Sequence, residues 1–525
     1  MRTIFKPFIG SLVFVLTVAG TGLSVSAQTP LSLQAAAAGQ APQVRRLTVD
    51  DAVRSALENN LGIQVARIDP QIQDLSVAQA QTAWAPSFSS VFQTGSTVAP
   101  NNSFLSGGQG GGTTDARVVT NIGVDKPLFK GGLYSVGWDN TRSTTTNLFT
   151  NFSPQIRSSL SLSIRQPLLR NFSIDASRQQ LEVSQKNREI ADVTLRASVV
   201  STTRAVRNAY WELAYAIASL AVQRQSLDLA NQSLRDTRAR VEIGTTPPID
   251  VVEAEAEVAT REEAVILAEA QIQTSEDTLR ALVYDPAMPD FWTIRIEPAE
   301  LPPFQPIAVD VDTAVRNALT RRTDVQQARK TIEANDVNIR FFRNQTLPDI
   351  TASFDYGLVG LGGTQFVRGA GFPGPIIGES QRGFGTVLTD LFTNDFPAWT
   401  ASLNVTYPIG TSSQQVNLAR TRLQYSQSLT QLRSQELQVT TEVRLTGRQV
   451  QTNQRRVATT QTSRQLAERR LEAEQRKFAA GTSTTFFVFQ AQRDLAQARN
   501  NELRAILDYN RSVVDFETVQ EAPLR

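Results

Sequence analysis

Residues 48–92 read TVDDAVRSALENNLGIQVARIDPQIQDLSVAQAQTAWAPSFSSVF, and residues 310–354 read DVDTAVRNALTRRTDVQQARKTIEANDVNIRFFRNQTLPDITASF. The two stretches align without a gap when the chain is shifted by 262 residues, the difference between positions 310 and 48. Identical residues run from the AVR at 52–54 and 314–316 to the proline and phenylalanine near the end of each stretch. Self-similarity of this length indicates a duplicated structural unit.

Each stretch has the pattern of a helix that passes into a strand. Thr48 and Asp310 stand where a helix N-cap belongs, because a suitable N3 partner follows each of them three residues later. The helical pattern ends at Pro86 in the first stretch and at Pro348 in the second, and alternating residues follow both prolines. We therefore expect Pro86 and Pro348 to mark junctions between helix and strand.

Two further landmarks recur in the same order in both halves of the chain. An alternating segment ends in proline at Pro167 and again at Pro408, which predicts a strand that leads into a long helix. A Gly-Thr pair follows each long helix, at Gly244 and Gly481, and predicts a turn into a returning helix. These helices are expected over residues 249–285 and 485–518, so both halves have the same order of elements.

The duplication and the N-terminus predict the domain organisation. We expect a first repeat over residues 47–298, a Pro-rich linker over residues 299–306 and a second repeat over residues 307–520. Residues 1–27 have basic residues, an apolar stretch and small residues at the end, which is the pattern of a cleavable secretory signal. Beyond this signal no apolar run reaches 18 residues, so no membrane-spanning helix is predicted.

Composition excludes several function classes. The chain contains no Cys and no His, which removes disulfides, thiol nucleophiles and the usual zinc ligands. It has 52 basic and 50 acidic residues, and loss of residues 1–27 removes two basic residues, so the mature chain has 50 of each sign. A nucleic-acid-binding protein would show a basic excess. Glu253, Glu255 and Glu257 are interpreted as a solvated helix face, and we expect no catalysis, cofactor or metal site.

The predicted long helices exceed what a globular domain needs. No proline lies between Pro167 and Pro247 and no glycine lies in residues 171–243, which leaves roughly 70 residues for one helix of ~105 Å. Apolar residues recur along it every seven positions, at Leu213, Leu220, Leu227, Leu234 and Val241. Alanines follow another face, and polar residues occupy the interleaved position downstream. This pattern favours a coiled-coil helix in the wall of a hollow helical barrel.

Strand-like alternation appears in six segments, at residues 87–98, 118–127, 133–141, 158–167, 350–358 and 399–408. Gly-rich segments lie between them, and residues 357–385 are predicted to form a surface loop. Strands of about ten residues can cross a bilayer at a tilt. A handful of strands cannot close a barrel, and open strand edges in lipid cost several kcal/mol per unpaired group. We therefore expect several subunits to combine their strands in one sheet.

These features resemble the outer-membrane efflux protein family, the TolC-like channels. The resemblance is carried by LTVDDAV at 47–53, by QPLLR at 166–170 and by GTS at 481–483, which Ala491-Gln492 and Ala498-Arg499 follow. It covers essentially the whole mature chain, in order and in duplicate.

The resemblance implies an α+β membrane protein that forms a homotrimer. In such a trimer, two strands per repeat build a 12-stranded transmembrane β-barrel, which a long periplasmic α-helical coiled-coil barrel continues. The implied location is the outer membrane, in contact with its lipid, with a helical extension in the periplasm. The implied function is the exit duct of a tripartite efflux or type I secretion system, which passes substrates from an inner-membrane pump and a periplasmic adaptor protein to the exterior.

The resemblance also points to the periplasmic tips, which close the channel in the family. Acidic residues often stand there six and nine positions after the turn glycine of the second repeat. Counting six and nine positions from both turn glycines gives Asp250, Glu253, Phe487 and Gln490. Together with the glycines Gly244 and Gly481 and with Phe486 beside Phe487, these are the gate candidates in this chain. The second tip has Phe487 where an acidic residue is expected. Either an apolar gate replaces the acidic one, or these phenylalanines pack between helices.

Two further alternatives stay open. An extra hairpin at residues 118–141, in the first repeat alone, could lengthen barrel strands, form an extracellular hairpin or be irregular. The competing hypothesis for the whole chain is a periplasmic structural or adaptor coiled coil without a barrel.

Overall fold

The structure is a computed structural model that describes residues 44–101, 107, 111–300 and 304–521. The expected signal at 1–27 lies outside the described residues. The helices are α1 (Val49–Asn59), α2 (Leu61–Gln81), α3 (Ala176–Glu242), α4 (Ile249–Val283), α5 (Val311–Arg321), α6 (Thr323–Gln345), α7 (Phe384–Phe392), α8 (Ser413–Ala479) and α9 (Thr485–Val519). The strands are β1 (Val44–Leu47), β2 (Ser87–Pro100), β3 (Gly112–Pro127), β4 (Leu133–Thr145), β5 (Phe152–Pro167), β6 (Arg295–Pro298), β7 (Asp349–Arg368), β8 (Ile376–Arg382) and β9 (Pro397–Thr406).

The two longest helices are equal in length. Helices α3 and α8 each have 67 residues, or about 100 Å, and α4 and α9, which return from them, each have 35. Side-chain caps fix where the long helices begin. Asp175 accepts a hydrogen bond from the Arg178 backbone N–H, and Ser412 forms a capping box with Gln415. Among the described helices, none combines the length and the apolar character needed to cross a bilayer.

The helices pack side by side in groups of four. Helix α3 packs against α2 and α6 along one part of its length and against α4 and α9 along the other, while α8 packs against α6 and α9. One level therefore has α2, α3, α6 and α8 abreast, and the level next to the turns has α4, α3, α9 and α8.

Two buried tyrosines hold the backbone at the two ends of the predicted linker. Tyr210 on α3 and Tyr509 on α9 have relative exposures of 0% and 1%. The Tyr210 hydroxyl accepts a hydrogen bond from the Glu300 backbone N–H at 3.2 Å. The Tyr509 hydroxyl donates to the Gln305 carbonyl at 2.7 Å and accepts from the Ile307 N–H at 3.2 Å. Burial raises the pKa of both phenols, so both stay protonated donors at neutral pH.

The strands form one large antiparallel sheet and one small parallel pair of β1 and β6. In the described part of the chain the large sheet has seven strands, ordered β2-β3-β4-β5-β7. The far edge of β7 pairs with β9 over Asp349–Leu358 and with the short β8 over Gly363–Arg368. Among the described strands, β2 pairs with β3 alone and β9 with β7 alone, so this sheet is open at both of these edges.

The structure corrects two expectations about the strands. Two strands per repeat, the basis of the 12-stranded count, do not describe the first half, where β2, β3, β4 and β5 are all long. The predicted hairpin at 118–141 is the β3–β4 pair, which lies between β2 and β5. The Gly-rich segment at 357–385 is not a loop throughout, because β7 continues to Arg368. The strand alternation there was hidden by glycines that carry no side chain.

The register across the large sheet separates an apolar face from a polar face. One cross-strand row of neighbours consists of Phe88, Val124, Val136, Leu162, Tyr356 and Trp399. The adjacent row on the opposite face consists of Ser87, Asp125, Ser135, Ser163, Asp355 and Thr400. Successive side chains of a strand point to opposite faces, so these rows place apolar and polar side chains on different sides.

Helix α7 covers part of the apolar face. The α7 residues Val387 and Leu391 are buried, and a Cβ on Gly360 or Gly362 of β7 would collide with Val387. The pair of Arg382 and Asp390, 2.9 Å apart, joins β8 to the same helix. The two glycines therefore make room for a helix to lie directly on the sheet.

Candidate functional site

The two turns at the ends of α3 and α8 have the same backbone geometry. Gly244 and Gly481 adopt φ of 77° and 75°. In each turn the glycine N–H donates to the carbonyl three residues before it, and the following threonine N–H donates to the carbonyl five residues before itself. This is a Schellman motif, in which glycine takes the left-handed position that other residues avoid. The duplicated Gly-Thr pairs thus end both long helices in the same way.

We call the turn from α3 into α4 the first tip and the turn from α8 into α9 the second tip. The first tip contacts the second through an acidic side chain. The Thr485 hydroxyl at the start of α9 donates to the Asp250 carboxylate at the start of α4, at 3.2 Å. Asp250 is half-buried, whereas Glu253, one turn later, is exposed. The two acidic candidates of the first tip therefore have different environments: one bonds the neighbouring tip and the other faces solvent.

A buried carboxylate one turn further along α4 joins the same two helices. Glu257 has a relative exposure of 8% and forms ion pairs with Arg261 on α4 at 2.6 Å and with Arg493 on α9 at 2.9 Å. The expectation that Glu257 belongs to a solvated face is therefore wrong. Helical periodicity explains the difference, because Asp250, Ala254, Glu257 and Arg261 share one face of α4, and Ala254 is fully buried there.

The aromatic run of the second tip is divided between core and surface. Phe489 is 3% exposed and packs against Leu234 and Ala254. Phe486 and Phe487 are each 51% exposed, and their rings meet edge to face at 5.6 Å. Packing between helices therefore accounts for Phe489 and not for Phe486 and Phe487. The last candidate, Gln490, is half-buried.

A cavity of about 230 Å³ lies between α3, α8 and α9 just above the turns. The Arg240 guanidinium lies over the Phe478 ring at 4.2 Å and stands beside Asp236 in the cavity wall. Cation–π contact of this kind holds the guanidinium against the neighbouring helix. The tip thus presents a basic side chain, acidic side chains and exposed aromatic rings within a few helical turns.

The four prolines lie where helices and the sheet meet. Pro86 and Pro348 directly precede β2 and β7, Pro167 is the last residue of β5, and Pro408 follows β9 by two residues.

Side chains connect the two halves at the β5–α3 junction. The Arg170 guanidinium donates to Gln345 at 2.9 Å, and the Asn171 N–H donates to Asn344 at 2.7 Å. Asn171 has φ of 65°, a left-handed conformation that asparagine tolerates better than most residues.

Comparison with known proteins identifies the family. The model of the family described as outer membrane efflux protein matches residues 52–283 and 314–518, which together make up most of the chain. The chain belongs to the outer membrane efflux protein family. This efflux protein is accordingly an outer-membrane channel whose helices extend into the periplasm, and it serves as an exit duct for substrates. A search of curated proteins gave no match.

Solved structures share the fold of this efflux protein over 90% of its chain. The Campylobacter jejuni CmeC outer membrane channel is 14% identical, with 85% of that chain covered and a TM-score of 0.61. The outer membrane protein VceC from Vibrio cholerae is 17% identical, with 95% covered and a TM-score of 0.62. The Neisseria gonorrhoeae MtrE outer membrane channel is 15% identical, with 88% covered and a TM-score of 0.61.

Sequence reasoning missed the residues that join the tips of the efflux protein. The pair of Glu257 and Arg493 lies 236 positions apart in the chain, so no local pattern shows it. The spacing of Glu257 and Arg261 by four residues was a usable signal, because it is the spacing of a stabilising pair on one helix face.

Proposed function

We propose that three copies of this efflux protein assemble into one continuous duct, with a β-barrel in the outer membrane and a helical tube in the periplasm. The observation that carries the proposal is the open sheet, with its apolar face and two unpaired edges. In lipid, unpaired backbone groups cost several kcal/mol each, so the edges need partners. Strand β2 starts at the helices and β9 ends there, so β9 of one copy can pair antiparallel with β2 of the next.

The helical tube follows from the same symmetry. Each chain has four helices abreast at each level, so three chains supply twelve. The duplication into residues 47–298 and 307–520, joined by the linker at 299–306, would give this tube an approximate sixfold repeat. Cyclic closure of identical head-to-tail contacts is the usual way in which such a ring forms.

The proposed partners are a periplasmic adaptor protein and an inner-membrane pump, which supplies the energy. The chain itself would carry out no chemistry: it is not an enzyme and uses no cofactor. The alternative of a periplasmic structural or adaptor coiled coil without a barrel is not favoured, because six long strands form one registered sheet with an apolar face.

We place the gate at the tips, where α3 and α8 turn back. The exposed rings of Phe486 and Phe487 support an apolar constriction, while Asp250 is occupied by its hydrogen bond from Thr485. Substitution Phe487→Ala should raise passive leak of ions through the tip severalfold in planar bilayers. Phe478→Ala, which removes an aromatic ring from the cavity above the turns, is a control for a general loosening of the tip. Wild-type leak in the Phe487 variant would exclude the apolar gate.

The assembly is tested by mass measurement of the detergent-extracted protein from outer-membrane fractions. We expect a complex three times the subunit mass, released by detergent and not by salt. A soluble monomer after removal of the signal would contradict the proposal, and extraction by salt alone would favour the coiled-coil alternative.

A further inference from the structure

We propose that the β3–β4 hairpin is itself a membrane-spanning part of the barrel wall, so that a trimer closes eighteen long strands. The exit would then be wider than a 12-stranded barrel allows. The inference rests on the trimer proposed above, and it concerns the strand count and the width of the exit.

The hairpin is fully integrated into the sheet. Strand β3 pairs with β2 from Ser87↔Asp125 to Pro100↔Gly112, and β4 pairs with β5 from Leu133↔Arg165 to Ser143↔Gln155, without a register shift in either ladder. The hairpin therefore separates β2 from β5. A hairpin that stood outside the sheet would leave β2 and β5 paired with each other.

The hairpin continues both faces of the sheet. Its residues Val124 and Val136 occupy the centre of the apolar row that runs from Phe88 to Trp399. The next row on that face is Ser90, Ile122, Trp138, Leu160, Leu358 and Pro397. On the other face the hairpin supplies Asp125 and Ser135 to the polar row. Barrel strands in a membrane carry apolar residues outward and polar residues toward the lumen, and the hairpin follows this pattern in the rows next to its turn, at Ile122, Val124, Val136 and Trp138.

The turn of the hairpin reaches the same end of the sheet as the helices. The ring of Phe129 in this turn lies 5.3 Å from the ring of Trp84, just before β2. The Arg178 guanidinium of α3 lies 5.7 Å from the same Phe129 ring. The Lys130 carbonyl accepts a hydrogen bond from Gln166 at 3.0 Å. Because these partners stand at the helical ends of β2 and β5, the hairpin spans the sheet and does not protrude beyond it.

The end of the hairpin next to its turn carries residues that are typical of the end of a membrane-spanning strand. Lys126 pairs with Tyr134 directly below the apolar row, next to the turn. A long basic side chain and a tyrosine are suited to the boundary between hydrocarbon and water. The apolar band of the hairpin therefore ends where the helical part of the protein begins.

The wider barrel matches the tube below it. With strands ~4.8 Å apart and tilted by ~40°, twelve strands give a backbone diameter of about 24 Å and eighteen give about 36 Å. Twelve helices spaced ~8–10 Å apart give a tube of about 31–38 Å. Eighteen strands thus continue the tube without a narrowing at the junction, so bulky substrates that pass the tip would not be stopped at the exit.

Neighbouring residues of β3 allow a direct test. Ile122 lies in an apolar row and Asn121 on the polar face, where they pair with Trp138 and Asp139, and the chain has no native cysteine to interfere. Spin labels on the variants Ile122→Cys and Asn121→Cys are compared in membranes for access to oxygen and to a water-soluble nickel complex. We expect the oxygen-to-nickel ratio to be severalfold higher at 122 than at 121. Equal, nickel-dominated access at both positions would overturn the proposal.

A matched pair separates this inference from the proposed function. Leu358 and Val359 of β7 occupy the apolar and polar faces of a strand that any barrel of this protein needs. If label accessibility alternates on β7 and not on β3, the hairpin proposal alone is contradicted. If it alternates on neither strand, the barrel is contradicted as well. Electron cryomicroscopy of the unmodified trimer gives an independent count. Six long strands per subunit and a barrel about 1.5-fold wider than a 12-stranded one are expected; four strands per subunit would overturn the inference.

Discussion

The two halves of the chain share a backbone plan and differ in what they add to it. Each has a 67-residue helix, a Schellman turn at glycine and a 35-residue returning helix. The first half adds a strand hairpin to the sheet and places Asp250 at its tip, while the second half places α7 on the sheet and exposes Phe486 and Phe487 at its tip. Duplication thus preserved the frame, and the halves diverged at the two ends of the duct.

The largest effect should come from the buried phenylalanine of the second tip. Phe489→Ala is expected to lower the free energy of unfolding by about 3–5 kcal/mol, because it leaves a cavity against Leu234 and Ala254. Phe487→Ala, at an exposed site two residues away, should change it by less than about 1 kcal/mol. Denaturant unfolding followed by circular dichroism measures both. Equal losses would mean that the division between core and surface is wrong.

The next effect concerns the ion pairs that join the halves. Glu257→Ala leaves Arg261 and Arg493 without their carboxylate, and a loss of about 2–3 kcal/mol is expected because the site is largely desolvated. The control is Glu255→Ala, whose pair with Arg238 is half exposed and should be worth less than about 1 kcal/mol. Hydrogen exchange of the α4 amides should rise in the first variant only. A similar rise in both would contradict a special role of Glu257.

The two turns should respond equally to the same substitution. Gly244→Ala and Gly481→Ala each place a Cβ in a left-handed conformation with no neighbouring atom in the way, so only backbone strain of about 1 kcal/mol is expected. Melting temperatures of the two variants, recorded side by side, test this. Clearly unequal shifts would show that the tips differ in backbone energetics as well as in side chains.

The smallest effect is a pH dependence where α3 meets α6. Hydrogen bonds from Lys330 and Lys186 lower the pKa of Glu189 and Glu333, at distances of 2.8 and 2.9 Å. A lowered pKa contributes stability above the ordinary value of 4.5 that is lost as the pH falls through the folded-state value. Because the side chains of Glu189 and Glu333 are more than a third exposed, the loss should stay below about 1 kcal/mol. Unfolding between pH 5 and pH 3 should be less pH-dependent after Glu189→Gln and Glu333→Gln together, and an unchanged slope would exclude the cluster.

The long elements were predictable from the sequence because proline and glycine limit them. The returning helix expected to end at 285 ends at Val283, just before Pro286, and the second one ends within a residue of its expected position. Strand ends were less predictable. Strand β7 continues through four glycines to Arg368, which only the packing of α7 over Gly360 and Gly362 explains.

The tip was predictable in position and only partly in chemistry. The turn glycines locate it, and their spacing to Phe487 and Asp250 follows from counting. The role of Glu257 was not predictable from the local sequence pattern, because its partner Arg493 comes from the other half of the chain. The place of the hairpin was also left open, since alternation alone predicts strands but not which strands they join.

The open edges of β2 and β9 have a kinetic consequence. A single subunit that entered the membrane alone would expose both edges to hydrocarbon, so an inserted monomer is a high-energy species that does not accumulate. For the trimer proposed above, insertion and oligomerisation would then be one concerted step, whose rate would depend steeply on subunit concentration. The periplasmic helices have no such barrier and could meet first in the proposed trimer, so the periplasmic half of the molecule would act as the scaffold on which the membrane half is completed.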